Sequence, residues 1–219
     1  MAATIPLSLS HALGRQLRNP RGLGGRLVGR LMRIINNAPN RLAIDALDIA
    51  PGDHILELGF GPGHALALMA RRAPAGRLYG VDQSPVMQAQ AARRNRAGVR
   101  AGRVKLYDAA FDRLPLADKS VDKILAVNVI YFWHDFAAVA REIRRVLRPG
   151  GRISIYATDI ETMRHWTFAD RETHRQFGSL ELSGALQASG FPAHSTSIRQ
   201  VQLPGAIKGL IATVDIERG

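Results

Sequence analysis

Apolar and polar positions change period several times along the chain. Leu23, Leu27, Leu31, Ile34 and Ile35 recur at three- and four-residue intervals, and Val28 and Met32 widen the stripe. Arg26, Arg30 and Arg33 form a second stripe, so the spacing predicts a basic amphipathic helix. A Gly/Pro-rich patch, Asn19 to Gly25, breaks the helical pattern where this stripe begins, and a second helical segment, Asn40 to Leu47, ends before Ala50-Pro51-Gly52. Short apolar runs then alternate with helical patterns. Strands are predicted over 54–58, 77–81, 104–107, 121–127 and 152–157, and helices over 64–72, 84–96 and 135–147. Ser84-Pro85 reads as an N-cap and first helical residue, and Arg148-Pro149-Gly150-Gly151 as a stop. This alternation predicts right-handed βαβ units and a parallel sheet. An irregular stretch over 158–178 follows, then a helix over 179–189 and strands near 195–203 and 208–217. Pro204-Gly205 between the last two is too short for a crossover and predicts an antiparallel hairpin.

The glycine turn after the first strand carries the most information. Glu57-Leu58-Gly59-Phe60-Gly61-Pro62-Gly63 lies between an apolar strand and a helix, where glycine permits a tight turn and close approach to a ligand. In open α/β sheets, ligands bind beyond the carboxyl ends of the strands, at the switch point. The glycines read G-x-G-x-G, and His64 occupies the third position of a dinucleotide fingerprint, which argues against a pyrophosphate. No Gly-Lys-Ser/Thr follows, which excludes a phosphate-cradling P-loop. Asp82 ends the second strand, where an acid accepts from both hydroxyls of a ribose. Asp108-Ala109 follows the third strand, where a short acid suits an exocyclic adenine amine, and Asn128 follows the fourth. Taken singly, Glu57 is a strand-end charge, Asp82 a helix cap, and Asp108 and Asn128 turn residues. Taken together, at the ends of four successive strands, they outline one site.

Composition narrows the chemistry. The 219 residues contain no cysteine, which excludes disulfides, thiolate metal sites and a cysteine nucleophile. No apolar run is long enough to cross a bilayer, and no basic segment precedes the mildly apolar N-terminus, so neither a transmembrane helix nor a signal peptide is read and a cytoplasmic location is expected. Net charge is +12, with the excess in the first 150 residues. An anionic partner and a GC-rich coding sequence both account for it; only Lys105, Lys119, Lys123 and Lys208 are lysines.

The motifs over residues 40–157 resemble the class I S-adenosylmethionine-dependent methyltransferases, specifically the type 11 group. They are Glu57 to Gly63, Val81-Asp82-Gln83-Ser84, Asp108-Ala109 with Leu114-Pro115-Leu116, and Val146 to Gly151. Phe60 departs from the pattern, where smaller or polar residues are common. The resemblance implies an α/β, Rossmann-like, seven-stranded sheet with an antiparallel last strand and helices on both faces. It implies a methyltransferase domain over 40–219 behind an N-terminal helical cap over 1–39. Implied cofactor-binding residues are Glu57, Gly59, Phe60, Gly61, Gly63, Asp82, Gln83, Asp108, Ala109 and Asn128, with the backbone of the turn doing most of the binding. The cofactor is S-adenosyl-L-methionine, the product S-adenosyl-L-homocysteine, and no metal is expected.

Methyl transfer from a sulfonium requires alignment and exclusion of water more than a catalytic triad. A hydroxyl or ammonium acceptor also needs a base. Tyr131-Phe132-Trp133-His134 follows the fourth strand beside the expected cleft, which makes His134 and Tyr131 the catalytic candidates; imidazole titrates near neutrality. Alternatively, His134 merely opens the next helix, and Tyr131 and Trp133 are wall or core. Met163 to Phe168 offers either an anion-accepting pocket or a surface loop. The acceptor is expected to be a small molecule. The rival acceptors are a lipid headgroup or lipophilic quinone, with the basic helix touching the membrane peripherally. A catalytically silent partner protein that binds the cofactor is the reading outside catalysis. Nucleic acid is disfavoured, because Asn128-Val129-Ile130-Tyr131 lacks the Pro-Pro-aromatic grip used on flipped bases.

Overall fold

The computed structural model describes residues 36–166 and 175–217. The chain runs α1 (Asn37–Ala46), β1 (Ile55–Leu58), α2 (His64–Arg72), β2 (Leu78–Val81), α3 (Pro85–Arg94), α4 (Arg96–Arg100), β3 (Val104–Tyr107) and β4 (Val121–Val127). It continues through α5 (Phe136–Val146), β5 (Leu147–Thr158), α6 (Ile160–Met163), α7 (Ser179–Ala188), β6 (Thr196–Leu203) and β7 (Ile207–Asp215). The strands form one sheet in the order β3-β2-β1-β4-β5-β7-β6. The first five pair in parallel, and β7 is antiparallel to both β5 and β6. The expected βαβ units, the closing hairpin and the seven-stranded sheet are all present. Strand order reverses between β1 and β4, which opens the crevice where such sheets bind ligands.

The central strands are covered on both faces, which is why they read as continuous apolar runs. Along β4, Ile124 and Ala126 pack on one face and Leu125 and Val127 on the other. The first face carries α5, whose buried Phe136, Val139, Ala140, Ile143 and Val146 recur at helical spacing. Asp135 starts that helix by accepting from the Ala138 N–H at 2.9 Å. The second face carries α1 and α2 through Ile44, Leu47, Leu66 and Met69. Ser84 caps α3, accepting from the Met87 N–H, with Pro85 first in the helix as its sequence suggests.

Three readings meet a different structure. The expected helix over 84–96 is two, α3 and α4, meeting at Asn95. Arg148 to Gly151 stops the helix but does not delay the strand: β5 begins at Leu147, paired with Val121 across a register shift. Gly150 supplies a φ of +77° there and donates to Ile216 O, so the Gly/Pro signal marks a bulge. The irregular 158–178 stretch contains α6, started by Asp159, which accepts from the Glu161 N–H. The boundary expected between residues 39 and 40 falls inside α1. The predicted basic helix over residues 23–35 lies outside the described residues, as does part of Met163 to Phe168.

Candidate active site

A cleft of about 430 Å³ opens at the carboxyl ends of β1, β2 and β4. Eight of the twelve predicted site residues line it: Glu57, Gly59, Phe60, Gly61, Asp82, Gln83, Asn128 and His134. Gly63, Asp108, Ala109 and Tyr131 do not.

The glycine turn is shaped by what surrounds it. Gly59, Gly61 and Gly63 all have positive φ, +68°, +50° and +72°. A Cβ on Gly59 would stand 2.5 Å from Val129 Cγ2, and one on Gly63 2.7 Å from Ala91 Cβ. Gly63 thus shapes the turn from behind. Arg94 Nε donates to Pro62 O and Asn95 Nδ2 to Gly63 O, each at 3.0 Å, so the end of α3 holds the turn in place. Phe60 is buried over Gly80, where a Cβ would come within 2.6 Å of its ring. The unusual residue in the motif is therefore matched by a strand glycine beneath it.

The turn's three glycine N–H groups are engaged. Gly59 N–H donates to Val81 O at 2.8 Å, Gly63 N–H to Phe60 O at 2.9 Å, and Gly61 N–H to Asp82 Oδ2 at 2.9 Å. Asp82 Oδ1 accepts from the Ser84 N–H at 2.9 Å. Asp82 is held above the usual aspartate range, chiefly by burial, against which the Ser84 and Gly61 N–H groups act. Asp108 adds a smaller push from its like charge.

Glu57 is 4% exposed and its Oε2 has no hydrogen-bond partner. Burial first, then the charge of Asp82, drives its carboxyl well above the glutamate range, opposed by the Leu66 N–H. Glu57, Asp82, Asp112 and Asp135 all line the cleft, whereas no Lys or Arg among the described residues does. In a chain of net charge +12 this wall is negative, and it favours a cation.

Asn128 ends β4 with a φ of +52°. Its Oδ1 accepts from Tyr131 OH at 2.7 Å and from Thr158 N–H at 3.2 Å, and its Nδ2 donates to Asn36 Oδ1 at 2.9 Å. Tyr131 OH in turn accepts from the Thr158 N–H. Burial keeps this phenol far above its ordinary pKa. Tyr131 is thus placed as a brace between the ends of β4 and β5, while His134 is exposed on the cleft wall.

Sequence reasoning missed several wall residues. Ala110, Phe111 and Asp112, just past the predicted Asp108-Ala109, face the cleft. Arg145 and Glu142 of α5 fasten the following loop: Arg145 donates to Leu114 O and Leu116 O, and Glu142 Oε2 accepts from the Leu114 N–H at 2.7 Å. Asn36 and Asn40 also line the cleft, as do Phe132 and Trp133 of the segment that the sequence placed beside it. A signal for Asn40 existed, since it lies on the apolar stripe of Ala43, Ile44 and Leu47.

Comparison with known proteins follows the same lines. Residues 56–155 match the methyltransferase domain model. The chain is 33% identical over 165 residues to an uncharacterized methyltransferase, YdaC, of Bacillus subtilis, spanning 75% of this chain and 86% of that protein. Among solved structures, a chain of the complex between the Haloferax volcanii Trm112 methyltransferase activator and a methyltransferase gives a TM-score of 0.72 at 20% identity, over 87% of this chain and 93% of that one. A SAM-dependent methyltransferase from Aquifex aeolicus gives 0.62 at 16% identity, over 96% and 100%.

Proposed function

The chain belongs to the class I S-adenosylmethionine-dependent methyltransferases, and from that premise we propose that its cleft takes the cofactor and a small-molecule acceptor side by side. One observation carries the acceptor class. The cleft is a cavity of about 430 Å³ with Phe111, Phe132 and Trp133 on its wall and, among the described residues, no Lys or Arg. That suits a small, largely apolar molecule and not a phosphate backbone, which binds through Lys and Arg.

The residues fit the cofactor. Glu57 Oε2 is a buried acceptor without a partner, and the negative wall suits a ligand carrying an ammonium and a sulfonium. When bound, S-adenosylmethionine supplies a methyl group on a positively charged sulfur, a good leaving group. Glu57 accepts from the ammonium. Asp82, with one lone pair of each oxygen committed to backbone, accepts from the ribose hydroxyls with the others. The Ala110 to Asp112 segment, just past Asp108-Ala109, borders the adenine, and Gln83 the ribose edge. Asn128, braced by Tyr131, keeps the end of β4 in place. His134 takes the acceptor's proton.

The test is transfer of a labelled methyl group from the cofactor in a cell extract stripped of its own methyltransferase. Label in the low-mass fraction is the expected result. Label confined to acid-precipitated nucleic acid or protein, or to vesicles, refutes the acceptor class.

A further inference from the structure

Every glycine amide of the turn is spent within the protein: Gly59 on Val81 O, Gly61 on Asp82 and Gly63 on Phe60 O. The amino-acid end of the cofactor carries a carboxylate as well as an ammonium. Glu57 offers an acceptor to the ammonium, but the carboxylate needs donors, and no Lys or Arg among the described residues lines the cleft. Its wall does carry the His64 imidazole, the Trp133 indole N–H and side-chain amides.

Asn40 is such a group. It lines the cleft and is 6% exposed, and its side-chain amide makes no hydrogen bond among the described residues. The amide opens onto the cleft, where a ligand can complete it. Two contacts fix its position. Asn36, one turn earlier on the same helix face, accepts from Asn128 Nδ2 at the end of β4. Asn37 Oδ1 lies 3.3 Å from His64 Nε2 at the start of α2. The first turn of α1 is thereby tied to both strand-end elements that flank the β1/β4 crevice, with Asn40 facing into it.

We infer that the Asn40 side chain donates from Nδ2 to the carboxylate at the amino-acid end of the cofactor, so that α1, outside the glycine motif, supplies part of the cofactor's specificity. This rests on the reading that the cleft is the cofactor's.

Calorimetric titration with S-adenosylhomocysteine and with 5′-methylthioadenosine tests it. The second ligand keeps the nucleoside and the sulfur and lacks the amino-acid end. Asn40→Ala is expected to lower affinity for S-adenosylhomocysteine about tenfold and leave that for 5′-methylthioadenosine unchanged. Asn40→Asp keeps the shape, should Asn40→Ala fold poorly, and sets a negative charge against the carboxylate; its loss is expected to exceed that of Asn40→Ala, again for the first ligand alone. No loss in either variant, an equal loss for both ligands, or a gain in Asn40→Asp overturns the assignment. Asp82→Ala separates the two layers of the argument. If it leaves both affinities unchanged, or if the unaltered protein binds neither ligand, the cleft assignment itself falls and takes this inference with it.

Discussion

Glu57→Gln preserves the shape of the side chain and removes its ionisation, and its effect on stability has a sign that depends on pH. In the unfolded chain the carboxyl titrates near its ordinary value of 4.5; in the fold, burial and the neighbouring Asp82 raise it well above that. Between the two values the folded state binds more protons than the unfolded state, so wild-type stability falls as pH rises through that window. The neutral amide of the variant would not share the loss. At pH 8 the variant should exceed the wild type by about 1–3 kcal/mol, the magnitude of a buried polar group left unsatisfied. For a chain of this size that is about 2 to 12 °C in Tm. Near pH 4.5 the two should melt together. Differential scanning calorimetry across that range reads the difference directly. An offset that does not change with pH, or a less stable variant at pH 8, would refute the account of Glu57 as a charge held at a loss. The same substitution takes away the charge and one of the two acceptor oxygens offered to the ammonium, so affinity for S-adenosylhomocysteine should fall about tenfold. More stability with weaker binding is what a site that stores an unfavourable group for its ligand should show.

Three further substitutions probe other parts of the site. Asp82→Asn keeps one oxygen for the Gly61 and Ser84 N–H groups but halves the acceptor capacity, so both S-adenosylhomocysteine and 5′-methylthioadenosine should bind about tenfold more weakly by calorimetry; equal binding would remove the ribose role. Gly63→Ala forces a Cβ to within 2.7 Å of Ala91 at a φ of +72°, and should lower stability by about 1–3 kcal/mol in thermal melts. An unchanged melt would mean that α3 does not constrain the turn. His134→Ala should reduce kcat about 100-fold with cofactor affinity unchanged; full turnover would eliminate this imidazole as the base.

The fold was legible where an apolar pattern is sharply bounded. Strands 104–107 and 121–127 and helix 64–72 coincide with their sequence readings because each is an apolar pattern bounded by polar or glycine breaks. Local signals were ambiguous where one composition serves two geometries. Pro149-Gly150-Gly151 reads as a loop, yet the same conformational freedom makes the bulge that starts β5. Tyr131 reads as a catalytic candidate because it follows a strand end. Its burial and its bonds to Asn128 and Thr158 depend on β5, about thirty residues away in chain order, which no local pattern encodes.

The glycine turn shows why motif and binding chemistry separate. Sequence says that the backbone must turn tightly there, and the three positive φ values agree. It does not say which amides are left over once the turn has folded. Val81 O, Asp82 and Phe60 O consume all three glycine N–H groups, so the turn contributes shape and close approach more than donors. Besides the Trp133 indole N–H, two polar groups of the cleft wall lie on the flanks: the unmatched Glu57 Oε2 near the end of the strand before the turn, and the Asn40 amide on the preceding helix. Each stands at a position that its own element marks as core, a buried strand in one case and the stripe of Ala43, Ile44 and Leu47 in the other. A polar residue on an otherwise apolar face is what marks both in the sequence, and Asn40 lies outside the glycine motif.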